Sequence, residues 1–161
     1  MDRLWSPWRY DYIKSGSTED SSVCVFCSIL AAEGDDASKF IVHRASHNIV
    51  ILNIYPYISG HLLIVPFEHT AELCDASPET TDEMMDLTKR SQAILRDAYK
   101  PNGFNLGMNL GRAAGAGVAD HFHMHIMPRF IGDTNFMTTV GETRVHPEAL
   151  TVTYGKLVGK F

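Results

Sequence analysis

Between residues 40 and 66 the apolar positions gather in short runs of strand length. They are Phe40 to His43, Asn48 to Leu52 and His61 to Val65, rich in isoleucine, valine and leucine. Ala45–Ser46 and the stretch Asn53-Ile-Tyr-Pro-Tyr-Ile-Ser-Gly60 separate them, so the pattern predicts an antiparallel meander. The period then changes. Met84, Leu87, Ser91, Ile94, Leu95 and Ala98 recur at helical spacing behind Ser77-Pro78-Glu79. That tripeptide supplies a capping hydroxyl, a proline at the first helical position and an acid in the first turn. The helix is expected to reach about Tyr99 and to stop before Pro101. Asn102–Gly103 turns the chain into Phe104-Asn-Leu-Gly-Met-Asn-Leu-Gly111, read as a strand carrying Asn105 and Asn109. Upstream, CVFCSILAAEG suits a short helix that stops at Gly34.

The clearest alternation lies at His121-Phe-His123-Met-His125-Ile126. Successive strand side chains point to opposite faces, so three imidazoles share one face and Phe122, Met124 and Ile126 the other. The apolar face anchors the strand in a core. The histidine face is too polar to be buried without partners and is expected to line a cleft. The whole pattern reads as α+β: an antiparallel sheet of about five strands with flanking helices gathered at one side. Residues 1–22 read as an N-terminal arm, 23–135 as the folded domain and 136–161 as a C-terminal segment.

Composition narrows the function. The chain has 161 residues, enough for one domain, with 45% hydrophobic and 20% charged residues, ordinary for a globular protein. A formal net charge of -5 without a long basic run argues against a nucleic acid polymer as partner. Runs such as Leu62 to Val65 are far too short to span a membrane. The opening MDRLWSPWRYDYIK is charged and aromatic, without the apolar core of a signal peptide. Its aromatics suit an arm packed on the body or on a partner subunit. Three cysteines, two of them in Cys24-Val-Phe-Cys27, suggest a reducing, cytoplasmic setting and metal or redox use.

The residues themselves leave several chemistries open. Cys24 and Cys27 can face one side of a turn. The βαβ context of a thioredoxin-like site is missing, a zinc site needs two further ligands, and two buried cysteines explain the spacing equally well. Three histidines on an extended strand span about 13 Å, so they cannot all reach one ion. Neutral imidazole is a competent nucleophile toward phosphorus, and neighbouring imidazoles can stabilise charge or move a proton near neutral pH. Gly115 and Gly117, in the loop before the strand, can turn backbone N–H groups toward an anion. A nucleophile beside an anion cradle points to phosphoryl or nucleotidyl transfer. A metal-dependent oxygenase would need a carboxylate near the histidine pair, and Asp120 falls on the opposite face.

At these residues the sequence resembles the histidine triad (HIT) family of nucleotide hydrolases and transferases. The triad His121-Phe-His123-Met-His125-Ile126-Met127 carries the likeness, with the Pro128-Arg129 that follows it. It extends upstream to the paired cysteines, to Asn53 and Pro56 before Gly60-His61, to the LLIVPFEH run and to Asn109. Trp5-Ser6-Pro7-Trp8-Arg9 and the GDTNFM segment look like the bacterial diadenosine-polyphosphate-cleaving branch. The resemblance implies that His123 attacks the α-phosphate, with His125 and His61 in support. It implies that Asn53 contacts the ribose hydroxyls and that Asn109, Gly115 and Gly117 serve the phosphate and the nucleophile. It implies a structural zinc on Cys24, Cys27, His69 and His121, and a homodimer. The expected substrate is a dinucleoside polyphosphate such as diadenosine tetraphosphate, cleaved through a nucleotidyl-histidine intermediate. The loop Ala116-Gly117-Val118 lacks the glutamine of many family hydrolases and the hydroxyl common there, which leaves both water and phosphate open as acceptor. A nucleoside phosphoramidase and a non-catalytic nucleotide-binding module are the alternatives.

Overall fold

The computed structural model describes residues 23–134 and 148–161; the expected N-terminal arm and the second half of the GDTNFM segment lie outside them. Helix α1 spans Val25–Ala31. Strands β1 (Ile41–Arg44), β2 (Asn48–Leu52) and β3 (Leu62–Pro66) follow. A 3-10 turn at Leu73–Asp75 leads into α2 (Pro78–Tyr99), and then come β4 (Gly103–Gly107), a second 3-10 turn at Arg112–Ala114, β5 (Met124–Arg129) and α3 (Leu150–Leu157). The five strands form one antiparallel sheet in the order β1-β2-β3-β5-β4. The first three strands are the expected meander, and β5 pairs between β3 and β4, which puts the histidine strand inside the sheet. No helix among the described residues is long and apolar enough to cross a membrane.

Every residue of β2 and β3 is buried, and strands of that kind need cover on both faces. One face carries Val50, Leu52, Leu62, Ile64, Met124 and Ile126, packed under Met84, Leu87 and Leu95 of α2 and Leu157 of α3. The other carries Ile49, Ile51, Leu63 and Val65, capped by Phe26 of α1. Helices therefore cover both faces rather than one side, because alternate residues of each strand are apolar on both. The helix start reads as expected: Ser77 Oγ accepts the Thr80 N–H, with Pro78 at the first turn. Glu83 ties α2 to the β1–β2 turn by accepting Ser46 N–H, His47 N–H and Asn48 Nδ2–H.

Three boundaries differ from expectation. α1 ends at Ala31, before Gly34. β4 ends at Gly107, so Asn109 lies beyond the strand. Regular pairing of the histidine strand begins only at Met124, because the chain bends at His121 and Phe122 N–H donates to Thr70 O, 2.9 Å away.

Candidate functional site

The alternation at residues 121–126 survives that bend. Phe122, Met124 and Ile126 enter the core under α2, while His121 and His123 both contact Phe26 of α1 on the other face. His123 and His125 line a cavity of about 150 Å³ together with Asn53, Asn109, Gly115 and Gly117. Its apolar wall is built from Val25, Phe26 and Ile29 of α1 with Ile51 and Val118. His121 lies away from it, fully buried against the two thiols.

Each histidine has its proton located by a neighbour. His123 Nδ1 lies 3.0 Å from the His121 carbonyl, which can only accept, so Nδ1 carries the hydrogen and Nε2 keeps its lone pair. Tyr57 N–H donates to His61 Nδ1 at 3.2 Å, and Asn53 Nδ2 stands 3.3 Å from the same atom. His61 Nε2–H therefore donates to His125 Nδ1, 2.9 Å away, and His125 in turn carries its hydrogen on Nε2. The His123 and His125 rings stand 4.8 Å apart. One presents a lone pair and the other an N–H donor.

Burial favours the neutral form of both rings. It lowers the affinity of His123 for a proton, an effect partly opposed by the bond to the His121 carbonyl. Burial, with the adjacent His123 second, brings His125 down to about 4. Gly60 explains how His61 reaches this position. Its φ of +80° suits glycine, and a Cβ there would stand 3.2–3.3 Å from Leu95, Pro128 and Tyr99. The chain thus passes close to α2 and β5, and His61 is left 1% exposed beneath the cavity.

The glycine loop differs from expectation in one respect. Gly115 has φ +87° and lines the cavity, but its N–H donates to Arg112 O and the Ala116 N–H to Gly111 O. These amides close the 3-10 turn, so the anion nest expected at Gly115 is not formed by its own N–H. Asn53 Oδ1 accepts the Tyr55 N–H at 2.9 Å; a carbonyl oxygen has a second lone pair for a ligand hydroxyl.

The second cluster is Cys24, Cys27, His69 and His121, whose ligand atoms all lie within 4.8 Å of one another. Cys24 Sγ is 3.4 Å and Cys27 Sγ 3.7 Å from His121 Nδ1, and Cys27 Sγ is 3.3 Å from His69 Nδ1. Tetrahedral zinc with ordinary bond lengths sets its sulfur and nitrogen ligands about 3.6 Å apart. His121 Nε2–H donates to Pro66 O at 3.0 Å, which leaves Nδ1 as the metal-facing lone pair. The donor set and its spacing fit zinc.

Sequence reasoning missed Tyr57, whose ring stacks on His125 at 6.1 Å and tilts against His61 at 4.9 Å. It missed Phe26 and Lys39 as cavity residues as well. Tyr57 stands four positions before His61, a spacing without meaning in a turn. Phe26 looks like ordinary helix core.

Residues 35–132 match the HIT domain family model. The chain is 34% identical over 156 residues to an AP-4-A phosphorylase of Mycobacterium tuberculosis, covering 93% of this chain and 79% of that protein. Among solved structures, a zinc-bound histidine triad family protein from Mycobacterium smegmatis is similar with a TM-score of 0.68 and 29% identity, over 85% of this chain and 91% of that one. A hypothetical histidine triad nucleotide-binding protein from Sulfolobus tokodaii is similar with a TM-score of 0.65 and 30% identity, over 83% and 89% of the two chains.

Proposed function

This chain belongs to the HIT domain family, and from that premise we propose that it is a nucleotidyl-transfer enzyme that cleaves dinucleoside polyphosphates. The observation that carries the reading is the pair of fixed tautomers at the cavity: an unprotonated His123 Nε2 beside a His125 ring protonated at Nε2. His123 Nε2 attacks the α-phosphorus of diadenosine tetraphosphate. The P–N bond forms, the P–O bond to the leaving group breaks, and ATP departs. His125 Nε2–H, held by His61, stabilises charge on the transferring group. Asn53 meets the ribose, and the α1 wall takes the base. Asn109 and the chain at Gly115 and Gly117 flank the phosphate.

The adenylated histidine then needs an acceptor, and phosphate is the one proposed. The similarity to a phosphorylase over 93% of the chain supports it. So does the loop, where glycine and alanine leave room beside the phosphorus. Phosphate oxygen attacks the phosphorus, ADP leaves and His123 Nε2 is restored. Enzyme incubated with diadenosine tetraphosphate should release ADP and ATP only when phosphate is present. AMP with ATP at a rate indifferent to phosphate would make water the acceptor. Cleavage of an adenosine phosphoramidate alone would transfer the nucleophile to a different leaving group.

Cys24, Cys27, His69 and His121 form the zinc site of this reading. Four protein ligands close a tetrahedral ion, so its contribution is structural. The protein is also proposed to be a homodimer of the reducing cytoplasm. Among the described residues β4 pairs only with β5, and its Leu106 is 46% exposed, an edge of the kind that pairs with another chain. Light scattering should give twice the 18.0 kDa chain mass at micromolar concentration; a monomer mass would refute this.

A further inference from the structure

α1 is seven residues long and no side chain caps its N-terminus. A helix that short has little stability of its own. It nevertheless serves two sites. Cys24, at the N-cap, and Cys27 approach His69 and His121. Val25, Phe26 and Ile29, interleaved with those cysteines, form the apolar wall of the cavity. Phe26 is 6% exposed and packs edge-on against two histidines at once, with centroids 5.4 Å from His121 and 5.0 Å from His123. The His121 carbonyl also accepts the hydrogen of His123 Nδ1. The thiol cluster and the cavity therefore share one short helix, one aromatic ring and one peptide carbonyl.

We propose that metal occupancy of the cysteine–histidine site and nucleotide binding are energetically coupled through α1, with Phe26 as the positioning residue; this rests on the nucleotide reading above. With Cys24 and Cys27 tied to His69 and His121, the first turn of α1 is held in place. Phe26 then stays against the His123 ring, and the apolar wall stays closed. When that tie is lost, the N-terminal turn of α1 depends on side-chain packing, while Lys39 still holds the other end by donating to Ala32 O, and the wall and the His123 tautomer loosen together. A nucleotide pressed on the wall holds the same turn from the cavity side. Linkage requires the effect to run both ways, so a bound nucleotide must tighten the hold on zinc.

The test uses the zinc-loaded protein, AMP as an unreactive ligand, and equilibrium competition for zinc with a chromogenic chelator. Calorimetry first establishes AMP binding. Saturating AMP should tighten the zinc affinity read from the competition about tenfold, within the usual range of such couplings. In Phe26→Leu, with zinc stoichiometry unchanged and AMP again saturating, the tightening should fall below about twofold. AMP still stabilises the fold as a whole in that variant, so retention of the full tightening would overturn the role of Phe26. Imidazole ¹⁵N shifts supply a second readout. In chelated protein His123 should lose its Nδ1–H preference while His61 and His125 keep theirs. An unchanged His123 would overturn the coupling. AMP binding without any change in zinc affinity would overturn the coupling alone, whereas no AMP binding would overturn the nucleotide reading and the coupling with it.

Discussion

Replacing His123 with alanine is expected to lower diadenosine tetraphosphate turnover by about four to six orders of magnitude, the scale seen when a covalent nucleophile is removed. The expectation follows from proton placement. Of the two histidines lining the cavity, His125 has its hydrogen on Nε2 and its Nδ1 engaged by His61, so His123 alone offers a lone pair at Nε2. Neither His125 nor His61 can take its place without breaking the bond between them. The fold should survive. Truncation removes one buried ring and leaves the His121 carbonyl without its donor, which costs about 1–3 kcal/mol. For a chain of this length that is a fall of a few degrees in Tm for each kcal/mol. Steady-state rates and thermal unfolding, measured on the same preparation, separate the two effects. A variant that keeps near-parental turnover would remove His123 from the mechanism.

Zinc removal is expected to act mainly on stability. The apparent binding free energy of structural zinc in small fingers is about 10–16 kcal/mol, and there it is nearly the whole folding energy. Here the core under α2 contains none of the four cluster residues, so the loss should be a few kcal/mol, or about 10 °C in Tm. The melting should begin at α1 and the segment around His69, which the cluster joins to His121 across 97 and 52 positions of sequence from Cys24 and His69. Metal analysis of purified protein should find about one zinc per chain. Chelated protein with undiminished stability would return Cys24 and Cys27 to the role of small buried residues.

Much of this architecture is legible in the chain. The period-two run at 121–126 announces a strand with an imidazole face, and Ser77-Pro78-Glu79 announces α2. The runs at 40–66 announce the meander. These signals are local, carried by alternation and capping chemistry. What the sequence does not display depends on where distant backbone atoms arrive. Pro66 O meets His121, and Thr70 O takes the Phe122 N–H that a regular strand would have paired. Tyr57, in the connection between β2 and β3, stacks on His125, and no pattern in that connection records it. The early end of β4 has a similar origin: beyond Gly107, already opposite His125, the chain leaves the sheet to reach the glycine loop. Asn109 keeps its place at the cavity without the strand expected to carry it.

The three hydrogens that decide what the imidazoles can do are each set by main-chain atoms: the Pro66 carbonyl for His121, the His121 carbonyl for His123, and the Tyr57 amide, relayed by His61, for His125. Substituting the residues that own those atoms leaves the atoms in place, except that proline at 57 would delete the amide. The division of labour among the imidazoles is therefore insulated from most point substitution and exposed to changes of path. An inserted or deleted residue between Ile58 and Gly60, or between Asp120 and His121, would scramble the tautomers while sparing every imidazole. For redesign, the loops are the place to retune this chemistry, and the side chains around the cavity are the place to retune what it accepts.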